Sequence, residues 1–368
     1  MDAKRAIRSY RGPDDHGPFM GLIEAMSFQL RNMKDTTKTG LQILDKKLDN
    51  GYVKVMRVGD VEYVTTRGGG VGRNYILYTD EFGDLFIFNM QGKKIKSFTP
   101  GGGYDLIGAD ETGFHCFFYT AYPQGTSWWW STTYKKFNWQ GKQVFSKIFM
   151  PGVACGNDGP MVSAYRNYFI HDSWEDGRYV QGTQTITLLL NGEVVKTLIF
   201  PGVIGAGKTT TFAFDLKIYN NLIYLSMWDP SGGGRYWIDC YDMNFNLINT
   251  SEDFSWPPSL TGSATYIAGY RGPSTPNTSV KILTRSLEKI ANFDITPPPN
   301  VQIFYGSLGL VGNKYYHWWA FSAENGKIPI TPYYVNGEVA GDPFFLQQTF
   351  ERDWPFYMGG LIAHNVVL

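Results

Sequence analysis

Short apolar stretches separated by tight turns run through most of the chain, and one arrangement of them recurs. In Asp84-Leu85-Phe86-Ile87-Phe88-Asn89-Met90-Gln91-Gly92-Lys93-Lys94-Ile95, an apolar strand enters a Gln-Gly turn and a second strand leaves it. Lys136–Val144, Leu188–Val195 and Tyr334–Val339 repeat this around Gly141, Gly192 and Gly337. Asn-Gly or a near equivalent between apolar runs predicts a hairpin, because such turns need positive φ. The turn glycines at 92, 141, 192 and 337 are 49, 51 and 145 residues apart, and the last gap is about three times 48. Two degenerate copies fall inside it, Tyr241–Ile248 and Thr284–Ile290, with turns expected near 245 and 287. The spacing therefore predicts six units of roughly 50 residues.

Each unit also carries earlier strands, such as Phe114–Tyr119, Leu222–Trp228 and Tyr315–Phe321. These do not alternate between polar and apolar. Trp128-Trp129-Trp130 and Tyr315–Trp319 put large rings on both faces. Strands that are dry on both faces belong to a sheet packed between two others, whereas a two-sheet sandwich would alternate more strictly. A period of this length with several strands per unit predicts an all-β protein, a β-propeller of about six four-stranded blades. Over residues 52–345 the hairpin unit resembles the outer hairpin of many propeller blades. That resemblance implies the fold and says nothing about activity. Gly359–Leu368 is apolar and is expected to form a closing strand.

Residues 1–50 lie outside the period and are expected to form an N-terminal helical arm, with the propeller over 51–368. Within Pro18–Met33, the residues Phe19, Leu22, Ile23, Met26, Leu30 and Met33 trace a helical apolar stripe. A second short helix is expected over Gly40–Leu48, stopped by Asn50-Gly51. An isolated helix of about 15 residues is marginal in water, so its apolar face needs a partner. That partner is either the propeller of the same chain or a neighbouring protein, with Phe19, Leu22, Ile23, Met26 and Leu30 as the candidate docking face.

Composition strengthens the β reading: 25 Phe, 24 Tyr, 11 Trp and 42 Gly suit short strands and tight turns. Thirty-three basic residues balance 33 acidic ones, which argues against a simple nucleic-acid coat. With 18% charged and 43% apolar residues, the chain is not expected to be disordered. No apolar run is long enough for a membrane-spanning helix. Met1–Arg5 lacks the apolar stretch of a secretory signal, so synthesis in the cytoplasm is expected. Cys116, Cys155 and Cys240 are widely spaced and odd in number, which predicts neither a disulfide framework nor a metal knuckle.

Candidate chemistry is sparse. Gly202–Thr209 fits the phosphate-loop pattern G-x-x-x-x-G-K-[ST], but the pattern needs a following helix. Phe212, Phe214, Leu216 and Ile218 alternate instead, predicting a strand, so the loop reads as a connection between units. The glycine runs 68–72, 101–103 and 232–234 read as turns for the same reason. Asp80–Asp84 has the carboxylates of a cation loop but sits where a plain hairpin turn is expected. His16, His115, His171, His317 and His364 show no metal-ligand spacing, and His115 and His317 are expected to be packed within strands. His171–Asp176 gathers an acid, a base and a hydroxyl, yet adjacent strand residues point to different sides. Ser173–Gly177 departs from the sialidase-type repeat in spacing. Asp105, Asp110, Asp172 and Asp229 lie near unit starts without an assigned role. No catalytic, cofactor-binding or metal-binding residue is predicted, and no cofactor.

A neutral, aromatic-rich propeller with a separate arm resembles, in general build and without diagnostic residues, the tail-nozzle or tail-tip proteins of short-tailed bacteriophages. The resemblance implies a structural virion protein that assembles with copies of itself and with other virion proteins. It also implies host contact and passage of DNA through a ring of copies without sequence-specific binding. Two alternatives remain open. One is a propeller glycoside hydrolase or lyase with paired carboxylates at the mouth of the central channel. The other is a carbohydrate-binding lectin propeller with shallow repeated pockets.

Overall fold

The computed structural model describes residues 41–48, 51–58, 61–66, 73–80, 84–100, 104–124, 127–153, 161–174, 183–200, 211–219, 221–230, 234–263, 265–271, 278–295, 301–321, 328–347 and 360–366. The chain separates near Arg73 into two compact units. In the first, β1 (Leu41–Leu48), β2 (Gly51–Val58) and β3 (Val61–Thr66) form one antiparallel sheet in the order β1-β2-β3. The helix expected over Gly40–Leu48 is therefore corrected to a strand. Leu41, Leu44 and Leu48 suit a helical face, but the eight residues pair in register with β2 from Leu41↔Val58 to Leu48↔Gly51. A local pattern open to two periods was decided by a partner strand. The sheet also crosses position 50, so β2 and β3 pair with β1 and with no blade. The expected helix over Pro18–Met33, with Phe19, Leu22, Ile23, Met26 and Leu30, lies outside the described residues.

The second unit is a six-bladed β-propeller. Blade 1 holds β4 (Arg73–Thr79), β5 (Leu85–Asn89) and β6 (Lys94–Phe98). Blade 2 holds β7 (Tyr104–Asp110), β8 (Gly113–Gln124), β9 (Ser127–Asn138) and β10 (Gln143–Val153). Blade 3 follows as β11 (Val162–Tyr165), β12 (Tyr168–Trp174), β13 (Gln184–Leu190) and β14 (Glu193–Phe200). Blade 4 is β15 (Phe212–Tyr219), β16 (Leu222–Asp229), β17 (Arg235–Tyr241) and β18 (Leu247–Thr250). Blade 5 is β19 (Pro258–Gly262), β20 (Tyr266–Arg271), β21 (Thr278–Thr284) and β22 (Lys289–Ile295). Blade 6 is β23 (Val301–Val311), β24 (Lys314–Phe321), β25 (Pro329–Tyr334) and β26 (Phe344–Phe345). The last strand, β27 (Gly360–Val366), returns to pair with β4 and completes blade 1, in the order β27-β4-β5-β6. The expected closing strand is thus present. The first strands of successive blades touch in a closed circuit, β27 to β7, β11, β15, β19, β23 and back to β27. They form the innermost layer.

Packing follows from blades wedged between blades. Ile76, Tyr78, Phe86 and Phe88 face Leu308, Tyr316, Trp318 and Ile330 of blade 6. Their sequence neighbours Tyr75, Leu77, Leu85 and Ile87 face Tyr104, Phe114 and Phe137 of blade 2. Consecutive residues of one strand therefore fill two different cores, which is why apolar residues run without alternation. Four further clusters fill the other interfaces, between blades 2 and 3, 3 and 4, 4 and 5, and 5 and 6. Burying one such side chain contributes about 1.5 to 3 kcal/mol, so the six interfaces together supply the main force that holds the ring. Cys116 and Cys240 are free and buried.

The six predicted turns have left-handed residues at Gly92, Gly141, Gly192, Phe245, Leu287 and Gly337, with φ between 52° and 93° in these turns when Asn191 is included. In blades 1, 2 and 4 one side chain staples the turn. Asn89 Oδ1 accepts from Gln91 N and Lys93 N, and Asn138 Oδ1 from Gln140 N and Lys142 N. Asp242 Oδ1 accepts likewise from Asn244 N and Asn246 N. Each turn also rests on the outer strand of the preceding blade. Lys96 Nζ donates to Trp139 O at 3.0 Å, Lys147 Nζ donates to Gly192 O, and Asn249 Nδ2 donates to Ser286 O.

Candidate functional site

Two polar clusters and one surface stand out among the described residues. The first cluster is sealed between blades 2 and 3. Asp110 ends β7, and its Oδ2 lies 2.7 Å from His115 Nε2 and accepts from Arg166 N at 2.6 Å. Its Oδ1 accepts from Thr112 N at 2.6 Å. His115 Nδ1 is 2.8 Å from the Tyr134 hydroxyl. Lys136 Nζ lies 3.8 Å from Asp110 Oδ2 and donates to Arg166 O at 2.8 Å. Trp139 Nε1 donates to Asp110 O at 3.1 Å. One assignment satisfies every group: neutral His115 donates from Nε2 to Asp110 and accepts at Nδ1 from Tyr134. Burial pushes the Asp110 carboxyl up, but His115, Lys136 and Thr112 outweigh it and hold it well below the usual range. Burial pushes His115 down, against the pull of Asp110. Neither side chain reaches solvent, so this relay joins the two blades from within.

The second cluster belongs to the innermost strands. Asp215 on β15 accepts from Leu216 N at 2.8 Å and from Leu260 N of β19 at 2.6 Å. Lys217 Nζ lies 3.9 Å from Asp215 Oδ1. Asp105 on β7 faces solvent, yet it is enclosed among the inner strands. That enclosure raises its carboxyl to about 6, opposed by Lys217 two blades away. Burial also raises Asp215, with Lys217 and the two amides opposing. Burial thus raises the proton affinity of both carboxyls on these inner strands. Of the sequence candidates, Asp105 alone comes to this bore. Asp172 accepts from Met161 N at 2.8 Å and from Gln184 Nε2 at 3.3 Å, inside blade 3. Asp229 sits opposite Arg235 at the other end of β16. Asp215 and Lys217 were not singled out from sequence, although both are polar positions in the alternation 212, 214, 216, 218.

Gly202–Thr209 lies outside the described residues, and Phe212–Tyr219 after it is the expected strand β15. Asp80 and Asp84 close the β4–β5 hairpin as expected, with Asp84 N donating to Asp80 Oδ1 at 2.8 Å. His115 and His317 are fully buried, as expected for packed residues. No group of three or more potential metal ligands occurs among the described residues. No described helix is long and apolar enough to cross a membrane.

The surface is the rim. The strongly exposed large apolar residues of the described chain are Ile95, Val144, Ile148, Val194, Val195, Ile199, Leu247, Ile248, Ile290, Val339 and Phe345. All lie on β6, β10, β14, β18, β22 or β26, or on the turn before β26. The outermost strand of each blade also leaves one edge of backbone unpaired by the blade itself.

No protein-family model matches the chain, and no curated protein resembles it in sequence. Among solved structures, apo AztD from Citrobacter koseri is 8% identical over 81% of this chain and 100% of its own, with a TM-score of 0.40. BamB from Moraxella catarrhalis is 15% identical over 83% and 87%, with a TM-score of 0.32. A neuraminidase-like protein from A/bat/Guatemala/164/2009 is 11% identical over 68% and 78%, with a TM-score of 0.41. Likenesses this loose carry no argument. The propeller rests on the order of the sheets and the closed circuit of inner strands.

Proposed function

We propose that this protein is a structural virion component, a bacteriophage tail part at the nozzle or tail tip, that acts by protein–protein assembly and contacts the host. The observation that carries the reading is the rim. Its large apolar side chains and open strand edges ring a unit already closed by its own strand, so the rim is a surface suited to being covered by neighbours. DNA passage, in this reading, uses the lumen of a ring of copies and not the bore of one propeller, where Asp105 and Lys217 act on each other.

A propeller hydrolase or lyase is favoured by one observation, the raised Asp105 beside Lys217 and Asp215. Two experiments weigh these readings. Gold-labelled antibody against the protein should decorate one end of tailed particles purified from the producing host. Particles without the protein would sink the assembly reading. Release of reducing sugar from host-surface glycans, lost in Asp105→Asn, would put the enzyme in its place.

A further inference from the structure

The rim is polarised in charge. From Asn89 to Thr99 and from Asn138 to Ile148, the outer hairpins of blades 1 and 2 carry Lys93, Lys94, Lys96, Lys142 and Lys147, and no acidic residue. The corresponding stretch of blade 4, Tyr241–Trp256, carries Asp242, Glu252 and Asp253 and no basic residue, although Glu252 pairs with Lys281 and Lys289 of blade 5 and Asp253 with Arg235. Tyr334–Gln347 of blade 6 carries Glu338 and Asp342 and again no basic residue. Blades 3 and 5 are balanced, Glu193 by Lys196, and Glu288 and Asp294 by Arg285 and Lys289. In a ring of six, blade 4 lies across from blade 1 and blade 6 adjoins it, so a chain of zero net charge carries a basic pole and an acidic pole on one rim.

Both poles also expose apolar side chains. Ile95, Val144 and Ile148 stand among the lysines, with Ile148 65% exposed. Leu247, Ile248 and Val339 are exposed on the acidic stretches, and Phe345 is exposed where blade 6 meets the Gly92 turn of blade 1. A polyanion would leave Ile95, Val144 and Ile148 uncovered. A protein surface carrying both carboxylates and aliphatic groups would cover them, and the chain itself owns such a surface.

We propose that the lysine-rich rim of blades 1 and 2 docks onto the acidic rim of blades 4 to 6 of a second copy, head to tail. The inference rests on the assembly reading above and adds which faces meet. A contact between two different faces propagates, and it closes into a ring when the rotation between copies allows. Opposed charges steer the encounter and set its orientation, while the aliphatic groups are removed from water.

Sedimentation velocity of the full chain tests this. In about 50 mM salt the average mass should rise with concentration, and near 1 M salt, where screening is nearly complete, it should fall to that of one chain. A K93E/K94E/K142E variant leaves Lys96 and Lys147, which bond the next blade's hairpin, in place. It should associate at least about tenfold more weakly, as should E338K/D342K. An equimolar mixture of the two variants should associate again, because each keeps the face the other needs. Circular dichroism and the unfolding midpoint check that the variants fold, and the salt series needs no substitution. A single-chain mass at every concentration in low salt overturns the proposal. So does association that ignores salt or the charge reversals, or binding of duplex DNA without self-association. Association blind to charge, by a protein present in particles, would leave the assembly reading intact and remove this one. Absence from particles would do the reverse.

Discussion

A buried histidine shows how single residues carry the fold's response to acid. His317 lies wholly inside the packing between blades 5 and 6, and its Nδ1 is 3.3 Å from the Tyr315 hydroxyl. Burial pushes it from 6.5 down to about 3. His115 moves in the same direction for the same reason. Unfolding lets both take up protons that the folded state refuses. Their contribution to stability is therefore complete above about pH 6.5 and is lost as pH falls toward the folded values, by up to about 1.4 kcal/mol per pH unit for each histidine. Urea unfolding between pH 7 and 4 should show this decline, and His317→Phe should make it shallower. An unchanged slope in that variant would refute the assignment. Sequence reading placed both histidines in the packing. It could not foresee the Asp110 network, whose partner Lys136 comes from another strand of the same blade and Arg166 from the next blade.

At the scale of elements, the hairpin turns do two jobs at once. They reverse the chain, and they seat it on the blade before. Gly141 has φ 81°, and a Cβ there would collide with the Phe98 ring of β6. Gly141→Ala should lower stability by about 1 to 3 kcal/mol, read as a shift in the denaturation midpoint. Wild-type stability would mean that the turn can relax. Phe245 and Leu287 occupy the same position with side chains that pack inward, Leu287 almost fully buried. Those two turns lack the glycine signal, yet spacing alone located them, because six equivalent blades impose a period that outlasts the residues marking it. The N-terminal region offered no such period. There the Asn50-Gly51 pair, read as a helix stop, falls where Leu48 pairs with Gly51. Stop and hairpin draw on the same residue types, and only pairing with the next strand, β2, tells them apart.

For the whole molecule, closure is the decisive event. The strand β27 supplies Ile362 to the core shared with blade 6, and Ala363 and Val366 to the core shared with blade 2. Among the described residues it also links the inner strands of blades 6 and 2 in the circuit. Truncation before Gly360 should therefore abolish a single cooperative thermal transition rather than merely lower its midpoint. A peptide of residues 360–368 added back should recover it. Cooperative unfolding without the strand would show that five complete blades suffice. The bore polarity was less legible than the architecture. Asp215 and Lys217 matter only once β15 is known to be an innermost strand, a fact of topology that no local pattern states.

The pairing of β27 with β4 also has a consequence for synthesis. Between Thr79 and Gly360 lie 280 residues. At ribosomal speeds of about 5 to 20 residues per second, that is roughly 15 to 55 s in which the first blade has emerged and its finishing strand has not been made. Throughout that interval Ile76 and Tyr78 lack the blade 6 surface that will later cover them. The nascent chain must be shielded or slow to aggregate, and a helper protein at the exit tunnel would find its target in blade 1.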